Sequence, residues 1–564
     1  MSEPRTLARA LADAAQSACG YTFVRGAEQT TLTYVDLARR ACSVAAALTR
    51  SGLRRGDLVA LVITDPEQFL IILFGASMAG ILPASLYPPL SAADADAYLE
   101  TTAGILRVSR ARAAVASAAL VDGLDRMRAT CPALGLILSA DDLCGAAAAG
   151  DADLKHHEAG LDDLAFVQFT SGSTSSPKGV ALTHRNLGAN VDAINGPGGL
   201  GTTDSDSAVS WLPLYHDMGL VGMALGPLYS ARPGVFLAPQ AFVKRPVEWL
   251  RAISQHRATV SFAPNFAYDL CVRRVKDRDL EGLDLSCWRV AGCGAEPIHA
   301  PTLRAFAERF AAVGFRESGF LPCYGLAEHV LAATLPPRAR PLRVDDVRAG
   351  DLSEKRFASP AAADDPSTIQ LVSCGVPLPG HRLRIVDADG HDVSEREVGE
   401  ITLGGPSVMQ GYYGDDELTR ATIVDGWLRT GDLGYVSGGE LYVCGRVKDL
   451  IIVNGRKYHP QDLEWSVDDL PGVRRGRVVA FGTTAARGGE RVVIVVEPNG
   501  TAAAQALVDG IRRRIADRVG VYVDDVVLVS SGTVARTTSG KVQRAATRAR
   551  YERGELEAER GVEA

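Results

Sequence analysis

Through the first 330 residues, short apolar runs alternate with segments of helical character, and this rhythm constrains the fold more than any other feature. Leu58-Val59-Ala60-Leu61-Val62-Ile63 precedes the apolar stretch Phe69–Leu82, and Ala113-Ala114-Val115 again leads into a helix-like segment. Strand-then-helix repetition predicts βα units and largely parallel sheets. From about 370 to 445 the helices fade. Arg382–Val386 and Glu440–Val443 alternate there with Gly and Asp turns, which predicts a small β-rich subdomain. After Gly445, strand candidates at Arg477–Phe481, Val492–Val496 and Val526–Val529 with intervening helices predict a compact α+β domain, its boundary near Lys448. A chain of 564 residues exceeds one ordinary core, so two or more domains are expected.

The strand candidate Leu164–Val167 runs into an unusual loop, Phe169-Thr-Ser-Gly-Ser-Thr-Ser-Ser-Pro-Lys-Gly-Val180. Small residues let backbone approach a ligand, successive N–H groups can form an anion nest, and a lysine adds full charge. That predicts a phosphate cradle; composition alone also fits a solvated Ser/Gly linker. Position favours the cradle, because the loop joins two apolar runs with no low-complexity sequence around it. Pro177, standing before Lys178, excludes a Walker loop.

Lysine is rare: eight in a Lys+Arg total of 60. Lys178, Lys448, Lys457 and Lys541 all fall inside glycine-containing motifs, where a compact point charge differs from the arginine fork. A net charge of −7 argues against broad nucleic-acid binding. The N-terminus has no signal-peptide pattern, and Phe69–Leu82, fourteen residues broken by two glycines, is too short to span a bilayer. No stable membrane insertion is expected. Ten scattered cysteines without a CxxC pair predict reduced thiols in a cytoplasmic protein. Two decoys are set aside. Gly196-Pro-Gly-Gly-Leu-Gly201 matches GxGxxG but follows a helix-like stretch, and His156-His157 lies in a polar connector. Ser173 with His184 lacks the GxSxG context of a hydrolase.

The order of the remaining motifs is informative. The Phe169–Val180 loop is followed by Trp211-Leu-Pro-Leu-Tyr-His-Asp-Met-Gly219, Gly292-Cys-Gly-Ala-Glu-Pro297 and Tyr324-Gly-Leu-Ala-Glu328. Then come Thr430-Gly-Asp-Leu-Gly434, Gly445-Arg-Val-Lys-Asp449 and Arg536-Thr-Thr-Ser-Gly-Lys541. From about residue 20 to 545 the series resembles the adenylate-forming superfamily of acyl-CoA synthetases, adenylation domains and luciferases. Within it, "LYHDMGLVG", "APNFAYDLCVRR" and "GRVKDLIIVNGRKYHPQDLE" resemble the fatty acyl-AMP ligases.

The resemblance implies an α/β fold with a large N-terminal domain, 1–447, made of two α/β subdomains and a small β-rich one. It also implies a mobile C-terminal lid, 448–564, hinged near Lys448. The implied cofactors are ATP and Mg²⁺. Thr170, Ser171, Gly172, Ser173, Thr174 and Lys178 would hold the β- and γ-phosphates, and Glu328 the metal. Tyr324 and the Gly294-Ala295-Glu296 backbone would border adenine, in the cleft shared with Gly325, Leu326 and Ala327. Asp432 would accept the ribose hydroxyls beside Arg446. Lys541 would bridge carboxylate and α-phosphate in the transition state, while His216 either orients the acyl carboxylate or packs in the cleft. Relatives often carry Thr where Ala327 stands, and proline where Ala535 stands.

The interval from Glu328 to Gly375 is also longer than in acyl-CoA synthetases. Its surplus, about 340–368, resembles the insertion that marks the fatty acyl-AMP ligases, though its polar composition also suits an idle surface loop. The implied substrate is a fatty acid. The implied acceptor is an acyl carrier protein acting in trans, with CoA the less favoured alternative. A non-catalytic adenylate-binding protein is the opposing class, and the retention of Lys178, Glu328, Asp432, Arg446 and Lys541 argues against it.

Overall fold

Leu58–Val62 is buried at every position, and its two lattice neighbours in the sheet, Leu82–Ser85 and Ala113–Ala116, both run parallel to it. This is a computed structural model, and it describes residues 3–88, 95–148, 159–170, 178–365, 367–453, 456–484, 490–500, 503–536 and 542–556. The apolar stretch beginning at Phe69 forms the helix Pro66–Met78. Asp65 caps it by accepting from Gln68 N, Pro66 fits the first turn, and every residue from Phe69 to Met78 is buried. A helix apolar on all sides belongs inside the protein. Among the described residues no helix is long and apolar enough to cross a membrane.

Two seven-stranded sheets carry the first part of the chain. One runs Phe320–Pro322, Val290–Cys293, Val260–Ala263, Ala208–Ser210, Gly234–Leu237, Gly20–Arg25, Glu28–Thr33 and is parallel except for its last hairpin. The other begins Gly411–Tyr412, Lys178–Thr183, Leu164–Thr170, each of these strands antiparallel to its neighbour. The parallel strands Leu82–Ser85, Leu58–Val62, Ala113–Ala116 and Leu136–Ser139 complete it. The mainly parallel expectation holds, with one antiparallel hairpin at the edge of the first sheet and antiparallel pairs on both sides of Lys178–Thr183 in the second.

The β-rich segment is a five-stranded antiparallel sheet of Arg382–Val386, Gly399–Gly404, Ile423–Val424, Trp427–Ser437 and Glu440–Arg446. The polar surplus before it is folded. Val344–Arg348 pairs with Thr368–Val372, the short helix Ala349–Glu354 lies between them, and Val347 and Leu352 are buried against Tyr435 and Tyr442. Asp345 anchors this unit, taking Arg396 Nη2 at 2.8 Å and the Tyr435 hydroxyl at 2.5 Å.

Beyond Arg446 a separate core forms from Ile451, Leu463, Val467, Ile494, Ile511 and Ile515. It lies on a three-stranded sheet, in which Glu490–Pro498 pairs antiparallel with Val473–Thr484 and parallel with Asp525–Leu528. The fold is α/β, with a large N-terminal part and a small C-terminal one. They touch through an Arg456–Glu354 ion pair of 2.9 Å and through the rings of His299 and Trp465, 5.0 Å apart.

The decoys resolve simply. Gly196 closes the helix His184–Asn195 and follows no strand, and His184 is buried with Nδ1 accepting from Leu7 N. His156 and His157 lie outside the described residues. All ten cysteines are free thiols, buried or half-buried.

Candidate active site

The strands Leu164–Thr170 and Lys178–Thr183 form a hairpin in which Thr170 pairs with Lys178 and Phe169 with Gly179. Ser171, Gly172, Ser173 and Thr174 belong to the loop it carries and lie outside the described residues. A Cβ at Gly179 would stand 2.9 Å from the Phe169 ring, so glycine is required where the two strands close. Lys178 opens the return strand with its Nζ 5.1 Å from the centre of the Tyr412 ring. Burial lowers the Lys178 pKa, the nearby cations Lys448 and Arg446 lower it further, and Glu328 and Asp415 oppose them. Three positive charges thus gather beside the loop.

Glu328 lies in a short 3₁₀ turn, Ala327–His329, and its Oε1 accepts the Tyr412 hydroxyl at 3.0 Å. Val330 follows at φ +66°, a conformation that a β-branched residue adopts only under tertiary compulsion. At Gly325 a Cβ would collide with the Leu331 carbonyl oxygen at 1.8 Å, which explains the glycine of this motif. Leu326 is half-buried and Ala327 buried.

Tyr324 donates its hydroxyl to Asp432 Oδ2 at 2.8 Å, and Arg446 Nε donates to Oδ1 at 2.7 Å. The second bond follows from register, since Asp432 and Arg446 are direct partners in the Trp427–Ser437 and Glu440–Arg446 ladder. Asp432 in turn holds the Arg446 pKa above its usual value. The carboxylate is 6% exposed, so its two oxygens are oriented without water.

The strand Val290–Cys293 ends in Gly294 and Ala295. Ala295 has φ +67°, and a Cβ on Gly294 would sit 2.6 Å from Cys323 Sγ. Glu296 turns its side chain away from this strained corner, and Oε1 accepts Phe266 N at 2.6 Å, capping the helix Asn265–Arg274.

His216 Nδ1 lies 2.6 Å from Asp217 Oδ1, which also accepts Met218 N. Met218 N also lies 3.3 Å from the same Nδ1, so backbone and carboxylate together fix the ring's orientation. His216 precedes a π-helix, Met218–Leu225, a rare geometry frequent at functional sites. Gln168, three residues before the loop, donates to the Tyr215 carbonyl at 2.6 Å and ties this segment to the hairpin.

Lys448 lies in the 3₁₀ turn Val447–Asp449 between the two parts of the chain. Asp449 is fastened to the small part by Arg544 Nη1 at 3.1 Å. Lys541 lies outside the described residues. The residues flanking that segment, Arg536 and Val542, are bridged to one another, and Arg536 is within electrostatic reach of Glu296. Residues that the sequence reading did not single out are Tyr412, Asp415 and Arg544.

The AMP-binding enzyme model matches residues 11–413. The chain belongs to the AMP-binding enzyme family. A second model, described as the AMP domain of Disco-interacting protein 2-like proteins, matches residues 448–561. A relative from Caulobacter vibrioides, provisionally named an acyl-CoA synthetase, is 37% identical over 97% of this chain and 95% of its own. JamA of Moorena producens, a medium-chain-fatty-acid–[acyl-carrier-protein] ligase, is 38% identical over 70% of this chain and 69% of its own. A structure from studies of fatty acyl-adenylate ligases of E. coli and L. pneumophila matches with TM-score 0.91 at 37% identity, covering 97% of this chain and 98% of that one. Within the AMP-binding family the chain therefore groups with the fatty acyl-AMP ligases.

The donor set fits ATP with magnesium. Glu328 offers one carboxylate whose other oxygen takes no hydrogen bond among the described residues, and Mg²⁺ is held by one or two carboxylates with phosphates supplying further oxygens.

Proposed function

We propose that the chain activates a fatty acid with ATP and passes the acyl group to a carrier protein. A carboxylate oxygen of the acid attacks the α-phosphorus of ATP, the bond to the β-phosphate oxygen breaks, and pyrophosphate leaves. The phosphopantetheine thiol then attacks the acyl carbon, losing its proton, and AMP departs. The observation that carries the reading is the gathering of Arg446, Lys448 and Glu328 within electrostatic reach of Lys178, beside a buried Asp432 whose oxygens take Tyr324 and Arg446.

Both reactants of the first step are anions, so the work consists of positioning and charge neutralisation. Lys178 and the loop Thr170–Thr174 hold the β- and γ-phosphates. Glu328 holds magnesium, which when bound neutralises phosphate charge. Asp432 accepts the ribose hydroxyls, displacing Arg446 toward the phosphate side. Tyr324 and the Gly294–Glu296 backbone border the base. His216 orients the acyl carboxylate, and Lys541 supplies charge at the α-phosphate in the transition state.

Residues 1–447 act as the adenylation domain and 448–564 as the lid, pivoting at Lys448. A family model beginning at residue 448 supports that division. The folded insertion and its Glu354–Arg456 ion pair support a lid restrained in a way that favours carrier protein over CoA. CoA remains the second reading, favoured by the name of the Caulobacter relative. The deciding experiment is a pyrophosphate-release screen over acids of graded length, followed by acyl transfer to CoA and to carrier protein. No acid-dependent pyrophosphate release would overturn the proposal and favour a binding protein. Transfer to CoA alone would overturn the choice of acceptor.

A further inference from the structure

Tyr412 has no part in the chemistry above, yet it is the side chain through which two of its charged groups are joined. Gly411–Tyr412 is a two-residue strand on the edge of the second sheet, pairing Gly411 with Ala181 and Tyr412 with Val180. Tyr413 N donates to the Gly179 carbonyl at 2.7 Å, and Tyr412 N donates to Thr419 Oγ1 at 2.8 Å. The tyrosine is therefore fastened to the stem of the phosphate loop by backbone on one side and to the Asp416–Thr422 helix on the other. From this mount its hydroxyl reaches Glu328 Oε1 at 3.0 Å, while its ring lies 5.1 Å from Lys178 Nζ. Tyr412 itself is 7% exposed, so the side chain that makes both contacts is largely covered by protein.

Lys178 and Glu328 are opposite in charge and within electrostatic reach, yet they form no ion pair among the described residues. A direct pair would neutralise both groups, leaving a weaker cation for phosphate and a weaker anion for metal. The ring takes the ammonium on its face and the hydroxyl takes one carboxylate oxygen, so the attraction is met without collapse.

We propose that Tyr412 is a positioning residue that holds Lys178 and Glu328 apart, aiming the ammonium at phosphate and the second Glu328 oxygen at magnesium. The inference rests on the reading of Glu328 as the metal carboxylate. Tyr412→Phe keeps the ring and deletes the hydroxyl; Tyr412→Leu deletes both contacts.

The test is calorimetric binding of ATP, with excess MgCl₂ and with EDTA, to the full chain and both variants, alongside the magnesium dependence of pyrophosphate release. Tyr412→Phe is expected to raise the magnesium concentration for half-maximal effect on the order of tenfold, the loss of one charged hydrogen bond, with metal-free ATP affinity unchanged. Tyr412→Leu is expected to lower metal-free ATP affinity as well, about two- to fivefold from the lost cation–ring contact. In a Glu328→Gln background the hydroxyl deletion should have no further effect on the metal titration, which a merely structural role would not produce.

A wild-type chain whose ATP binding ignores magnesium overturns the reading of Glu328 and this proposal with it. A wild-type chain that responds to magnesium, with Tyr412→Phe titrating identically, overturns the role of Tyr412 alone. Equal loss in both variants with and without metal also overturns it, since packing would then be the cause.

Discussion

Gly445, in the large part of the chain, packs against His459 in the small part, and Gly445→Ala tests whether this arrangement serves the first half-reaction. Gly445 is the last residue but one of the strand Glu440–Arg446, and His459 precedes the helix Pro460–Val467 of the small part, the proposed lid. A Cβ at 445 would stand 2.6 Å from His459 Nδ1, well inside ordinary contact. Gly445 is not at positive φ, so alanine meets no dihedral barrier and the conflict is with the ring alone. The ring is 4% exposed, and burial lowers its pKa to about 4, so it is neutral and has no solvent to swing into. Overpacking of this kind costs about 1–3 kcal/mol, which displaces this lid orientation by about 5- to 150-fold. In this orientation Arg536, close in sequence to Lys541, is within electrostatic reach of Glu296. Pyrophosphate release should therefore fall by that factor, while transfer from supplied acyl-AMP to carrier protein is retained. Adding His459→Ala should restore release. Wild-type release by Gly445→Ala, or failure of the second substitution to rescue it, would refute the reasoning.

Lys541→Ala should abolish acyl-AMP formation with ATP affinity intact in a binding titration, because its charge acts mainly in the transition state; parallel loss of both would make it a ground-state ligand. Lys448→Pro fixes φ near −65° and should keep adenylation while losing transfer to carrier protein, as separate pyrophosphate and acyl-carrier assays would register. Lys448→Ala is its control, since it removes the same charge from the neighbourhood of Lys178 without stiffening the pivot. Burial raises the Asp462 carboxyl to about 7, with Glu464 adding to the effect. A raised folded-state pKa means stability that is complete below the unfolded value, near 4, and is lost as pH rises through about 7. Asp462→Asn should therefore gain over wild type by up to about 1.4 kcal/mol per pH unit across that window in thermal unfolding, and match it below pH 4.

Much of this could be read from residues near one another in sequence. The Leu58 run, the Phe69 stretch and the three lid strands each announce themselves by pattern, because burial on a sheet or inside a helix layer is a local composition. The loop of small residues between two apolar runs was legible for the same reason; that the runs pair antiparallel was not. What pattern does not contain is pairing across distance. Tyr412 meets Glu328 across 84 residues, and nothing in GYYGDDELT signals which tyrosine turns inward. Glu296 stands in a recognisable motif, but its side chain serves the helix Asn265–Arg274, 30 residues upstream. The stretch 340–368 reads as polar surface, because among its described residues Val347, Leu352 and Ala358 alone are buried in the small core it shares with Tyr435 and Tyr442. Such contacts are settled when the strands pack.

The π-helix Met218–Leu225 closes its hydrogen bonds five residues apart, so each turn holds a residue more than an α-helix would. Removing one residue there would let the segment relax to 3.6 residues per turn and rotate everything joined to its start by about 100°. His216 would lose its present orientation beside Asp217 although no atom of its own had changed. The direction of that imidazole is set by a count of residues downstream. Gly219 pins the count in place, since a Cβ there would strike the Pro213 carbonyl oxygen at 2.1 Å. Outside Gly219, this segment tolerates exchange of side chains more readily than a change of length.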